Sequence, residues 1–380
     1  MAVFIVCEFD PFHYGHEYII KEAKRLCPGE PVVCVMSGNF VQRGRPACAD
    51  GYLRAECAVK GGADLVLSLP FPWSMASAEH FAYGALSVIS GLYKDGDALV
   101  FGSECADIKR LTEAAMTVSS KEFQSKLKEY IKATKKPYAK AREELYGDGK
   151  LFSSPNDILG VEYVKASFAL CPGLSLYAVG RRESFRSSTD IKNSENPLEL
   201  IPGYAKKILS DEEFPADIKY AERIILSHLR TDPYKYAADG ENGLIGRISK
   251  AAGKADCFDA LITAASSPQF TNARIRRAAL YSYFGINTAK LRQKPAFTQL
   301  FAADSAGLSY LSKIRKNKRI DIITKPADRS KLSAAAREQF DTQSLSDAFY
   351  CFCTKTVRDG AYFIKASPYI STRFDLPDGP

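Results

Sequence analysis

The sequence predicts an α/β protein: residues 1–195 form a doubly wound parallel sheet, and residues 196–380 form a mainly α-helical C-terminal domain. Three observations carry that prediction. Short apolar runs recur through the first half, each closed by Gly, Pro or a polar turn, and stretches of helical period separate them, as in parallel strands joined by crossover helices. Beyond Asn196 the period is helical almost throughout, with one strand expected at 320–324. A chain of 380 residues also exceeds the usual size of one domain, so two units in one polypeptide are expected.

The first run, 2–7, is apolar or small along both faces, as a strand covered on both sides must be, and Asp10-Pro11 ends it. Gly15 then sits between His13 and His16, where a missing side chain lets the backbone approach a ligand. Helical period follows over 17–26, with Lys and Arg near its end. Both imidazoles therefore stand at a helix N-terminus, where free N–H groups and the helix dipole favour anions and where His can donate to phosphate oxygens. This stretch reads as a triphosphate cradle; taken alone, the His pair reads equally as a metal half-site or an accident of a loop.

A second strand is expected at 31–36. Its loop, 37–47, frames two arginines and a run of amides with two glycines and a proline, at the strand end where α/β sheets bind ligands. A helix at 52–61, a strand at 64–69 stopped by Pro70 and Pro72, a helix at 77–91 and a strand at 98–101 closed by Gly102-Ser103-Glu104 continue the alternation. The stretch 107–147 turns helical and Lys-rich, with Lys121, Lys126, Lys128, Lys132, Lys135 and Lys136; a solvated helix explains it better than a nucleic-acid face. Ser154-Pro155 then starts a helix running to Cys171, with Ser as its cap. A fifth strand at 174–179 leads into Arg181-Arg182, and Ser187-Ser188-Thr189-Asp190-Ile191-Lys192 reads as a helix start that could hold terminal phosphates or be an ordinary cap. In the second half, helices are expected at 215–229, 242–253, 256–265 and 270–284. Arg274, Arg276 and Arg277 open the last of these, and its basic start can meet phosphates or water.

Composition excludes several classes. Hydrophobic content of 46% with 25% charged residues is that of a water-soluble globular chain, and no apolar run approaches the roughly 20 residues that span a bilayer. No membrane segment or export signal is expected. The ten cysteines are scattered, and the Cys351-x-Cys353 pair has no second pair or His to complete a zinc site, so they are expected to be reduced core residues in the cytoplasm and not metal ligands; whether Mg²⁺ is held by protein or only by ATP stays open. A net charge of +8 permits a polyanionic partner without requiring one.

Several strings go beyond generic patterning: Glu8-Phe9-Asp10-Pro11-Phe12-His13-Tyr14-Gly15-His16, Met36-Ser37-Gly38-Asn39-Phe40-Val41-Gln42-Arg43-Gly44, Phe101-Gly102-Ser103-Glu104, Asn156-Asp157-Ile158-Leu159-Gly160 and Glu241-Asn242-Gly243-Leu244-Ile245-Gly246-Arg247-Ile248. With these the chain resembles the tRNA(Met) cytidine acetate ligase family, whose first domain has a Rossmann-like nucleotidylyltransferase fold with a His-x-Gly-His motif. The resemblance implies that ATP, with Mg²⁺, activates acetate to acetyl-adenylate, and that the acetyl group passes to N4 of the wobble cytidine of elongator tRNA(Met). It implies catalytic roles for His13 and His16. The ATP site falls on Cys7, Glu8, Phe9, Asp10, Pro11, Phe12, His13, Tyr14, Gly15, His16, Glu17, Tyr18, Ile19 and Ile20, with Gly102, Asn156 and Arg181, and Arg182 competes with Arg181. Arg274, Arg276 and Arg277 are the expected RNA contacts. The sequence departs from the family pattern at Gly51-Tyr52, in place of Lys-Trp, and at Ser68, in place of Glu; Lys192 stands where small adenylyltransferases carry Arg, which removes bidentate phosphate binding. Two other functions remain open: an adenylyltransferase acting on a small metabolite, and an inactive RNA-binding relative. The intact histidines oppose the second.

Overall fold

The computed structural model describes residues 1–182, 184–210, 214–315 and 318–371, so positions 372–380 of the expected second domain lie outside the described residues. The first half alternates as expected: β1 (Val3–Cys7), α1 (Tyr14–Leu26), β2 (Val32–Ser37), a small hairpin of β3 (Phe40–Val41) and β4 (Arg45–Pro46), α2 (Gly51–Lys60), β5 (Leu65–Leu69), α3 (Ala78–Ser90) and β6 (Ala98–Ser103). A helical excursion follows, α4 (Ile108–Ser119), α5 (Lys121–Thr134), α6 (Tyr138–Tyr146) and α7 (Gly149–Ser153), before α8 (Pro155–Leu170), β7 (Ser175–Gly180) and the short α9 (Ser188–Lys192). The second half contributes α10 (Gly203–Ser210), α11 (Glu222–Thr231), α12 (Leu244–Ala252), α13 (Phe258–Ala265), α14 (Asn272–Phe284), α15 (Thr288–Arg292), β8 (Phe297–Ala303), α16 (Ser305–Ile314), β9 (Asp321–Ile323), α17 (Ala334–Tyr350), α18 (Tyr362–Lys365) and β10 (Tyr369–Ile370).

The sheet runs β10-β8-β5-β2-β1-β6-β7, with β9 paired to β8. Neighbours are parallel except β5 and β8, which are antiparallel. The chain order reverses at β1, between β2 and β6, and that switch point opens a crevice at the strands' C-terminal ends. Alternation within each strand sends Phe4, Val6, Val33 and Val35 to the face covered by α3, α4 and α8, and Val3, Ile5, Val32 and Cys34 to the face covered by α1, α2 and α10. A third apolar cluster gathers α11 to α14. It also takes in Phe40 from the first half, whose ring meets Phe71, Phe284 and Tyr350.

One correction concerns the almost wholly helical second half. Residues 297–303 form a fully buried strand that lies beside β5, and β10 pairs with it in turn. The run Phe297-Thr-Gln-Leu-Phe-Ala-Ala has no polar alternation, because both of its faces are covered, and a short continuous apolar run reads equally as helix. Sheet neighbours therefore come from both halves of the chain. Among the described residues no helix is long and apolar enough to cross a membrane.

Candidate active site

The turn after β1 is built by its own main chain. His13 is the N-cap of α1, and its Nδ1 accepts the Gly15 N–H at 3.0 Å while His16 Nδ1 accepts the His13 N–H at 3.3 Å, a reciprocal capping box made of two histidines. A neutral imidazole whose Nδ1 accepts carries its proton on Nε2, so both rings present an Nε2–H. The rings stack at 3.7 Å, and Phe9 and Phe12 flank His16. Gly15 is required here, since a Cβ would lie 2.9 Å from the His13 ring. Burial pulls His13 down to about 4, with the Arg181 and Lys192 cations adding to the effect; burial and His13 hold His16 well below its ordinary value. Both are neutral donors at pH 7.

His13 Nε2 lies 3.1 Å from Ser188 Oγ, so the structure brings together the first turn and the hydroxyl-rich start of α9 that the sequence singled out separately. Lys192 serves a different end. Its ammonium meets the Asp10 carboxylate at 2.8 Å, Arg45 meets the same oxygen at 3.0 Å, and the Cys48 N–H reaches the other at 2.7 Å. Burial would raise Asp10, but Lys192, Arg45 and Arg54 outweigh it and hold the carboxyl well below the usual carboxylate range. Asp10 is thus an anchor joining α9 and the hairpin loop to the turn. Glu8, pushed up by burial, accepts the Gln42 N–H at 2.7 Å and fixes the same loop. Phe9, Pro11, Phe12 and Ile20 are buried supports; Tyr14 is exposed, and Gly15, Glu17, Tyr18 and Ile19 are half-buried. Cys7 ends β1 half-buried, its thiol pushed up by burial.

Arg54 was not foreseen. It is 0% exposed, and its guanidinium bonds main-chain carbonyls of Ala49 at 2.8 Å, Ser37 at 3.0 Å, Gly38 and Glu8. It pins the ends of β1 and β2 to one another. An Arg on the apolar face of α2, one turn before Ala58, was the available signal.

Across the crevice, Gly102 leaves open space toward Ile19, whose Cδ1 is 4.0 Å from a built Cβ. The Glu104 carboxylate accepts the Asn156 amide at 3.0 Å and the Asp157 N–H at 3.0 Å, while Asp157 accepts the N–H groups of Glu104 and Cys105. Glu104 therefore caps α8. Ser154, the expected cap, instead turns its hydroxyl back to the Lys150 carbonyl at 2.9 Å. Arg182 stacks on Tyr18 at 4.3 Å, whereas the field of exposed Arg181 reaches His13 together with that of Lys192.

The three arginines of α14 are already engaged. Arg274 donates to the Asp239 carbonyl at 2.8 Å and pairs with Glu241, Arg277 pairs with the Asp239 carboxylate, and Arg276, a third exposed, reaches Asp259 at 3.8 Å. The helix start also packs on the 37–47 loop: Gly44, at φ +71°, leaves no room for a Cβ against the Arg277 N–H, and Arg277 reaches toward the Gln42 carbonyl. Gly51, Tyr52 and Ser68, the three departures, meet at β8, where Gly51 lies under Phe301, Gln299 bonds Tyr52 Oη, and Ser68 Oγ accepts the Gln299 N–H at 2.8 Å. Among the described residues no group of three or more His, Cys, Asp or Glu could hold a metal ion.

A family model described as HIGH Nucleotidyl Transferase matches residues 1–362. A tRNA(Met) cytidine acetate ligase of Caldanaerobacter subterraneus subsp. tengcongensis is 32% identical over 86% of this chain and 89% of its own. The chain belongs to the tRNA(Met) cytidine acetate ligase family of HIGH nucleotidyl transferases. The namesake His-x-Gly-His is His13-Tyr14-Gly15-His16. The ligase of Clostridium perfringens is 29% identical over 96% of this chain and 98% of its own. Among solved structures, Thermotoga maritima TmcAL bound with alpha-thio ATP matches with a TM-score of 0.89 at 28% identity, covering 97% of this chain and 99% of the other. Family membership thus agrees with the architecture, in which the motif caps the helix at the sheet's switch point.

Proposed function

We propose that this chain is an ATP-dependent ligase that activates acetate as acetyl-adenylate and transfers the acetyl group to N4 of the wobble cytidine of elongator tRNA(Met). The stacked pair His13 and His16, both neutral and both carrying their proton on Nε2 at a helix N-terminus, carries the reading, with the family's name supplying the substrates. An acetate oxygen attacks the α-phosphorus of ATP, the bond to pyrophosphate breaks, and charge grows on the phosphate oxygens. Neutral N–H donors and the start of α1 stabilise that charge without holding the triphosphate as tightly in the ground state. Arg181 supplies the cation. Activation is chemically needed, because acetate has no leaving group that an exocyclic amine could displace; the cytidine N4 then attacks the acetyl carbon and AMP leaves.

Mg²⁺ belongs with the nucleotide in this reading, held by its phosphates. Residues 1–195 handle ATP and acetate, and the second half faces the RNA, with the start of α14 as one contact. The deciding experiment is exchange of labelled pyrophosphate into ATP. Exchange that requires acetate and no RNA supports the ligase, and exchange driven by a sugar phosphate or nicotinate mononucleotide but not by acetate would replace it with a metabolite adenylyltransferase.

A further inference from the structure

Where α2, β8 and α17 meet, a cavity of about 70 Å³ opens, with room for about two waters at ~30 Å³ each. It is separate from the histidine turn, none of whose residues lines it. Its sides are aromatic: Tyr52 and Phe301, 4.9 Å apart and tilted, with Phe340 and Phe363. Its polar groups are specific. Asp347 Oδ1 accepts from Asn39 Nδ2 at 2.7 Å and from Gln343 Nε2 at 2.8 Å, whereas Oδ2 accepts from no described residue. Gln299, 5% exposed, gives its amide nitrogen to Tyr52 Oη and leaves its oxygen without a described partner. Both residues line the cavity, and neither oxygen is among the sealed, unpartnered atoms of the described residues.

Acceptor oxygens between aromatic walls reject phosphate and carboxylate, which excludes the triphosphate and acetate. They suit a planar group with an N–H edge. Asn39 also ties the cavity to the active site, because its loop continues into Gln42 and Arg45, which reach Glu8 and Asp10. Resting on the reading that this chain modifies a tRNA, we propose that the cavity takes the amino edge of an unpaired base bearing an exocyclic amino group, the volume being that of the edge and not of the whole ring. The amine donates to Asp347 Oδ2 and Gln299 Oε1, and the rest of the ring stays at the mouth of the cavity.

The test uses the full-length protein at pH 8.5 or above, where the Asp347 carboxyl that burial raises to about 7 is ionised and Oδ2 accepts. The RNA is the anticodon stem-loop of elongator tRNA(Met), each loop cytidine or adenosine being replaced in turn by uridine or inosine, which exchange the amine for a carbonyl. For wild type, one replacement should weaken binding at least tenfold. In Asp347→Asn the amide nitrogen takes the place of Oδ2, so the preference at that same nucleotide should reverse, while acetate-dependent pyrophosphate exchange stays within about twofold. Ser344→Phe, which fills the cavity from α17, should weaken binding of every loop and leave exchange intact, and it decides the matter if Asp347→Asn does not fold. If exchange stands but both variants bind all loops as wild type does, the cavity takes no base. If wild type shows no acetate-dependent exchange, the functional reading itself has failed.

Discussion

Two regions of this chain are proposed to meet phosphate, the turn at His13 to His16 and the start of α14, and the structure treats them oppositely. At the turn the nearest groups are uncharged rings whose inner nitrogens are occupied by local N–H groups, so the outer ones are directed by the fold and meet at most a neutral hydroxyl, that of Ser188 at His13. At α14 three cations are present, yet Asp239, Glu241 and Asp259 already hold them. A count of charges would rank the second site first. Donor availability ranks the turn first, because an arginine already in an ion pair must exchange one partner for another, which yields little net gain.

The contrast can be broken most severely by His16→Ala. It should lower acetate-dependent pyrophosphate exchange about 100- to 1000-fold with the circular dichroism spectrum unchanged, since one donor to developing charge is lost; exchange at the wild-type rate would remove the turn from the mechanism. Arg54→Met attacks the same turn from beneath. It strands buried carbonyls that each cost about 1–3 kcal/mol when unpaired, so urea denaturation should show a loss of about 3 kcal/mol or more.

At α14 the effects should be smaller and divided. Arg276→Ala should reduce the slope of log tRNA affinity against log salt by about one, as one phosphate contact does, and leave exchange intact. Arg277→Ala should change that slope little and cost about 1–3 kcal/mol of stability through its pair with Asp239. Equal slopes for the two variants would show that both arginines leave their acids for RNA.

Titration offers the finest distinction, between the turn and the Asp347 cluster. His13 is lowered to about 4, so the stability it contributes is complete above its unfolded value of about 6.5 and is lost as pH falls toward 4. Asp347 is raised by burial to about 7, so its contribution is complete below about 3.9 and is lost as pH rises to 7. The two oppose each other between about pH 4 and 6.5. Thermal melts across that window should therefore show a steeper acid loss in Asp347→Asn than in wild type, and a shallower one in His13→Asn.

Legibility followed the range of the interactions. The strand, turn and helix around His13 are set by residues within a few positions, and they stood in the sequence in readable form, whereas the capping box that starts the helix at Tyr14 did not. The joining of Ser188 to His13 was legible only as two separate motifs, because nothing local states that β7 lies next to β6 and carries α9 across the crevice. Lys192 and the α14 arginines were readable as cations but not as paired ones, since Asp10 lies 182 residues from Lys192 and Asp239 lies 38 residues from Arg277. Arg54 is the extreme case: its partners are main-chain carbonyls, which no side-chain pattern announces. The strand β8 was missed for a related reason, its buried faces having erased the alternation that marks a strand.

That strand sets an order on the making of the molecule. Thr298 and Ser68, bonded in the finished sheet, are 230 residues apart. As the chain leaves the ribosome, β5 is complete long before β8 exists, and its row of N–H and C=O groups is a bare sheet edge able to recruit any extended segment. Joining partners this distant also delays closure, because the intervening chain must be gathered first. A fragment ended near residue 195 would keep that edge permanently uncovered, so it should be the less soluble half, whereas the whole chain is protected once its last third arrives.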